Sequence, residues 1–282
     1  MSIPFFLVWG LAVLIQIGFP ILLGIWFAKR YGVRVAPFLY GAAIFLVFQL
    51  LTRVPAVQLL SQAIGQRLLA GPRIGDVPVL QILYLLFLAL TAGLFESVGR
   101  WVGYRFLFRN RLTYNWKNGV AYGIGHGGFE SVMLVGVNQL ISLVLVVIVV
   151  AVGVEGLYSV LPPELAAELG NVPAQLAGTP WYALLAGAYE RVVTIVFHTG
   201  LSLVVLLCFT RGQSRWLWVA VAIHAFVDFT GPGMYSLLGW PIWVVEGYLT
   251  LWGLAALWLI LRLRGERLRG EGAGSEIVEG GV

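Results

Sequence analysis

Long apolar runs alternate with short polar interruptions along this chain, and the runs are too long for the core helices of a soluble domain. Seven of them reach the ~18–20 residues that cross a bilayer core as a helix. They cover roughly 4–28, 36–60, 77–99, 118–150, 180–209, 215–232 and 240–262. The sixth is the shortest, and Gly231-Pro232-Gly233 is expected to end it, because proline cannot continue a helix's hydrogen bonding. The fourth is overlong, so it should tilt, kink near Gly125, Gly127 and Gly128, or run on outside the lipid. Residues 152–179 carry proline, alanine and glutamate and read as an outer loop with a short surface helix. After about residue 265 the sequence is rich in glycine and glutamate and reads as a disordered tail. The pattern predicts an all-α, polytopic membrane helix bundle of about seven transmembrane helices. Residues 1–264 form one transmembrane unit and 265–282 a cytoplasmic tail.

Composition agrees with that pattern. Hydrophobic residues make up 60% of the 282 and charged residues 11%, against about half and a quarter in soluble domains. No room remains for a large soluble domain. The first apolar run lacks a basic leader region and reads as a retained span rather than a signal peptide. Cys208 is the single cysteine, so no internal disulfide is available and redox compartment is not informative.

The net charge of +5 does not point to nucleic acid, because the basic residues are divided among separate loops. They set orientation instead. Lys29, Arg30 and Arg34 follow the first span; Arg105, Arg109, Arg111 and Lys117 follow the third; Arg211 and Arg215 follow the fifth; Arg262, Arg264, Arg267 and Arg269 lie in the tail. The alternate loops hold only Arg67 and Arg73, together with Glu155, Glu164 and Glu168. Basic loops face the cytoplasm. The N-terminus is then expected outside and the C-terminus inside, in a multi-pass protein of the bacterial inner membrane.

Ionisable groups inside the spans are where chemistry is expected, since each costs at least ~2.5–3.5 kcal/mol to insert and normally faces the bundle interior. They are Arg53, Glu96, His126, Glu130, Glu190, Arg191, His198, His224, Asp228 and Glu246. All three histidines of the chain are among them. At ~1.5 Å per helical residue, His126, His224 and Glu96 lie ~14 Å, and His198 ~20 Å, from the nearest basic loop residues. Four residues on four spans therefore fall in one layer, on the cytoplasmic side of the midplane.

Local spacing adds to this. His126 with Glu130, His224 with Asp228 and Glu96 with Arg100 are each four residues apart and share a helix face. A carboxylate one turn from an imidazole can orient it, bind a metal beside it, or act as a base on water. Glu190 and Arg191 are neighbours in sequence, so partners are expected on other helices. Three imidazoles in one layer with carboxylates nearby suit Zn²⁺, whose catalytic sites combine three protein ligands with a water. Such an ion acidifies water for attack on a peptide carbonyl, and a glutamate can carry the proton to the leaving amine. Each residue also has a structural alternative. The His–carboxylate pairs can serve as polar glue between helices, Thr194 can satisfy His198, and Arg53 and Glu246 can pair or snorkel.

Gly-His-Gly-Gly-Phe-Glu at 125–130, Glu190-Arg191 followed by Phe197-His198, and His224-Ala-Phe-Val-Asp228 together resemble the YhfC group of membrane peptidases. That group is similar to the wider type II CAAX-protease and bacteriocin-processing class, which includes PrsW. Motifs of that class resemble Glu96-Ser-Val-Gly-Arg100, with Phe95 replacing one glutamate, and Tyr122-Gly-Ile-Gly-His126, with tyrosine for phenylalanine. The resemblance covers about residues 77–232. It implies a glutamate-dependent intramembrane endopeptidase acting on membrane-embedded or membrane-bound peptides within the lipid bilayer. His126, His198 and His224 are the expected metal ligands; Glu130 is the expected base, with Glu96 as rival; Asp228 orients His224. Arg100, Glu190 and Arg191 are expected to contact substrate or brace the site. The active site is expected to open toward the cytoplasm. A proton-coupled transporter and a non-catalytic peptide-binding or assembly relative are the competing readings, because intramembrane Glu, Asp and His also form proton relays.

Overall fold

A computed structural model describes residues 2–65 and 72–275, and it is an all-α bundle. The helices are α1 (Ile3–Tyr31), α2 (Ala36–Phe45), α3 (Val54–Ile64), α4 (Val79–Val102), α5 (Trp116–Glu130), α6 (Val137–Val160), α7 (Pro163–Ala177), α8 (Trp181–Thr210), α9 (Arg215–Ser236) and α10 (Ile242–Ser275). Short π-helical stretches continue α2 (Leu46–Arg53), α4 (Gly103–Phe108) and α5 (Ser131–Gly136). Among the described residues, seven helical runs are long and apolar enough to cross a membrane: Ile3–Tyr31, Ala36–Ile64, Val79–Phe108, Trp116–Gly153, Trp181–Thr210, Arg215–Ser236 and Ile242–Arg264. Side chains such as Leu7, Leu14, Leu22, Leu51, Leu90 and Trp258 lie exposed on their outer faces. On a spanning helix that surface meets lipid rather than water.

Local chemistry sets the ends. α1 stops at Gly32, whose positive φ of 63° lets its N–H bond the Ala28 carbonyl. α5 starts at Asn115, whose side chain accepts from the Asn118 N–H. After α2 the turn widens, next to Pro55, which offers no N–H to the Leu51 carbonyl. The one buried residue of that widened stretch is Gln49.

Two expectations about the spans change. The overlong fourth run does not kink at its glycines, which stay within the regular turns of α5. Its irregularity is the π-helical stretch Ser131–Gly136, and the run ends at Gly153, where φ is 75°. Gly231-Pro232-Gly233 does not end the sixth span either. α9 continues to Ser236 with Pro232 inside it. The 152–179 segment is mostly helical, with α6 reaching Val160 and α7 following. α10 runs to Ser275, through part of the tail expected to be disordered, and 276–282 lie outside the described residues.

α8 sits at the centre and packs on α1, α4, α5, α9 and α10. Glycines let the helices around it come close. A Cβ at Gly123 would lie 2.6 Å from the Thr199 Cα, and one at Gly93 would lie 2.7 Å from the Val221 carbonyl oxygen. α5 is thereby drawn onto α8, and α4 onto α9. Toward the arginine-rich loops the interior is filled by rings of Tyr104, Phe108, Tyr114, Trp116, Tyr122 and Phe209. The Tyr104 hydroxyl donates to the Ser202 carbonyl at 3.0 Å, which locks this plug to α8.

Candidate metal centre

Four helices deliver one side chain each to a common point. Glu96 from α4 is the hub. Its Oε2 lies 3.0 Å from His126 Nε2 (α5), 3.4 Å from His198 Nδ1 (α8) and 3.8 Å from His224 Nε2 (α9). Ring centroids are 5.7 Å apart for His126 and His198 and 5.1 Å for His198 and His224. Glu96 and all three histidines are buried. The side chains grouped by depth in the sequence are thus neighbours in space, and their glycine-spaced helices permit it.

The hub is braced from two sides. Arg100, one turn along α4 and fully buried, places Nη2 3.1 Å from Glu96 Oε2 and 2.6 Å from His198 Nδ1. Gln49 donates to Glu96 Oε1, and Arg53 donates to the Gln49 amide oxygen at 3.3 Å. A guanidinium only donates, so His198 Nδ1 accepts and its proton lies on Nε2. That nitrogen sits 2.9 Å from Glu130 Oε2. A second cluster follows outward along α8: Arg191 Nη1 lies 3.2 Å from Glu130 Oε1, and Arg191 also bonds Glu190.

Several expected pairings differ. Glu130 turns to His198 and Arg191 rather than to His126, because His126 is drawn across the helix interface to Glu96. Arg191 finds its expected partner on another helix in Glu130, yet it also reaches its sequence neighbour Glu190. Thr194 bonds the Arg191 carbonyl, not His198. Arg53 bonds the Leu88 carbonyl, Thr91 and Gln49, so it does not pair with Glu246. Asp228 Oδ2 lies 3.4 Å from His224 Nε2, the nitrogen that also faces Glu96. The sequence reading missed Gln49. A buried amide in an apolar run is a weak signal, although Gln49 and Arg53 share the four-residue spacing seen in the other pairs.

The donor set fits a divalent cation. Ligand atoms of Glu96, His126 and His198 lie within 4.8 Å of one another. Ligands ~2.0–2.1 Å from a tetrahedral zinc are ~3.3 Å apart, close to the 3.0 and 3.4 Å found around Glu96 Oε2. His224 is nearby but outside this tightest group, which a carboxylate completes in its place. Arg100 Nη2 shares the Glu96–His198 edge in this arrangement, so a cation there must share or take over that position. His126 and His224 turn Nε2 toward Glu96, and among the described residues their buried Nδ1 atoms have no hydrogen-bond partner.

A cavity of about 300 Å³ leads away from the histidines. Its wall uses α8 residues before His198, α9 residues after His224 and the first half of α10, including Glu190, Pro232, Tyr235 and Glu246. The opening therefore runs toward the α9–α10 turn. The expected opening at the arginine-rich end is not what this cavity provides, because the aromatic plug fills that end.

Residues 12–249 match the family model described as YhfC intramembrane metalloprotease. The chain is 31% identical over 212 residues to the uncharacterized membrane protein YhfC of Bacillus subtilis (strain 168), covering 74% of this chain and 77% of that one. No solved structure matches it significantly. With the motif-bearing spans inside the matched region, the chain belongs to the YhfC intramembrane metalloprotease family.

Proposed function

We propose that the protein is a zinc-dependent intramembrane endopeptidase acting on membrane-embedded or membrane-bound peptides in a bacterial cell membrane. One observation carries this reading: Glu96 Oε2 lies within 3.0–3.8 Å of imidazole nitrogens from three other helices. Mixed nitrogen and carboxylate donors suit Zn²⁺. Glu96, His126 and His198 hold the ion, with His224 beside them. Such an ion, when bound, polarises a peptide carbonyl and acidifies water.

The remaining residues have distinct tasks. Placing Glu96 among the ligands leaves Glu130 as the base. It takes the proton of the attacking water and returns it to the leaving amine. Arg191 fixes the Glu130 carboxylate at 3.2 Å, and Arg100 fixes Glu96 at 3.1 Å. Asp228 positions His224. By the basic-loop pattern the C-terminus is cytoplasmic, and the cavity then opens into the outer half of the membrane.

The test uses purified protein in nanodiscs with zinc and a pool of single-span peptides, with new termini read by mass spectrometry. Glu130→Gln is expected to retain zinc and lose cleavage by about 10²–10⁴-fold. Wild-type cleavage by Glu130→Gln, or no new termini from zinc-loaded wild type, contradicts the proposal.

A further inference from the structure

The cavity between the histidines and the α9–α10 turn carries a group that the proposed hydrolysis does not use. Glu246, near the start of α10, lines it and is only 4% exposed, yet among the described residues its Oε2 has no hydrogen-bond partner. The Thr250 hydroxyl meets the Glu246 backbone carbonyl and the Tyr189 hydroxyl, not the Glu246 carboxylate. A buried carboxylate oxygen without a donor is unfavourable in a membrane interior, and such groups mark sites that receive something.

The other carboxylates on the wall are accounted for. Glu96 faces Arg100 and the histidines, Glu130 and Glu190 share Arg191, and Asp228 faces His224. Five carboxylates line the cavity: Glu96, Glu130, Glu190, Asp228 and Glu246. Arg100 and, through Gln49, Arg53 stand behind Glu96, and Arg191 stands between Glu130 and Glu190. Among the described residues, Asp228 and Glu246 are the carboxylates of this wall without an arginine in contact, and Asp228 faces His224 instead.

We infer that Glu246, aided by Glu190 on the same wall, forms a subsite for a cationic group on the substrate. The group is an ammonium or guanidinium, carried by a lysine or arginine side chain or by a free N-terminus. The substrate identity rests on the hydrolytic reading, whereas the cation site rests on the cavity itself. The experiment therefore reads binding, not turnover. Zinc-loaded full-length protein in nanodiscs is titrated with three fluorescent leucine-rich single-span peptides. One is N-acetylated with a single arginine, one is N-acetylated with glutamine in its place, and one has the glutamine with a free N-terminus.

Wild type is expected to bind the arginine peptide about tenfold more tightly than its glutamine twin, the scale of one charge-assisted hydrogen bond. Glu246→Gln should bring that ratio to about one, Glu246→Asp should keep part of it, and Glu190→Gln should lower it. Tight binding of the free-amine peptide identifies an N-terminus as the source of the cation; preference for arginine alone identifies the side chain. Equal affinities for all three peptides in wild type overturn the inference, and so does a ratio that survives Glu246→Gln. If Glu246→Gln does not fold, an undiminished ratio in Glu190→Gln and Glu246→Asp overturns it. Cleavage of these peptides is scored separately, so loss of the hydrolytic reading and loss of the cation site give different results.

Discussion

Glu96 shows how much one buried carboxylate can organise. One of its oxygens faces three imidazoles and Arg100, and the other is held by Gln49. The histidines and carboxylates were legible in the sequence because ionisable groups stand out in apolar runs. Which carboxylate stands at the centre was not. The four-residue spacing of His126 and Glu130 suggested a pair, but packing sends His126 across to α4 and Glu130 across to α8. Gln49 was illegible as a functional residue because a neutral amide in a span is ordinarily polar glue. As a positioning residue behind a ligand it has a clear consequence. Gln49→Leu should weaken zinc affinity by about 10–100-fold, measured by competition with a chelator, while helical content stays unchanged. Wild-type affinity in Gln49→Leu would mean that Glu96 is oriented without it.

At the scale of elements, close helix approach fixes the distances among these side chains. Gly93 lies one turn before Glu96 and faces the backbone of Val221 and Ala225, the latter next to His224. Gly123 does the same between α5 and α8, one turn before Gly127 and His126. The sequence marked the glycines of α5 as possible kink points, but their use is contact. The widened turns fall at Leu46–Arg53 and Ser131–Gly136, which need a residue-by-residue backbone account that hydropathy does not provide. Gly93→Ala puts a methyl group against a backbone that cannot yield cheaply. It should destabilise the protein by about 1–3 kcal/mol and lower zinc occupancy, read by thermal unfolding and metal analysis. Leu94→Ala, on an exposed neighbour, is the control expected to change neither. Equal melting of the two variants would remove the role given to α4–α9 contact.

The whole molecule was legible in outline, but the expected opening at the arginine-rich end is not the one the cavity provides. Seven spans, and the common depth of Glu96, His126, His198 and His224, follow from run lengths and from helix rise per residue. The side from which the centre is reached does not, because it depends on rotation and on what fills each end. Here aromatic rings close the end near Arg105 and Arg211, and the cavity lined by Glu190, Tyr235 and Glu246 runs the other way. Four helices converge on one point inside the membrane, and three of them, α4, α5 and α8, are proposed to hold one metal ion there. Anomalous diffraction at the zinc edge, from crystals of the zinc-loaded full-length protein, tests it most directly. One peak per chain is expected, within bonding distance of Glu96, His126 and His198. A chain with no peak among these side chains, or with zinc bound only at the surface, contradicts it.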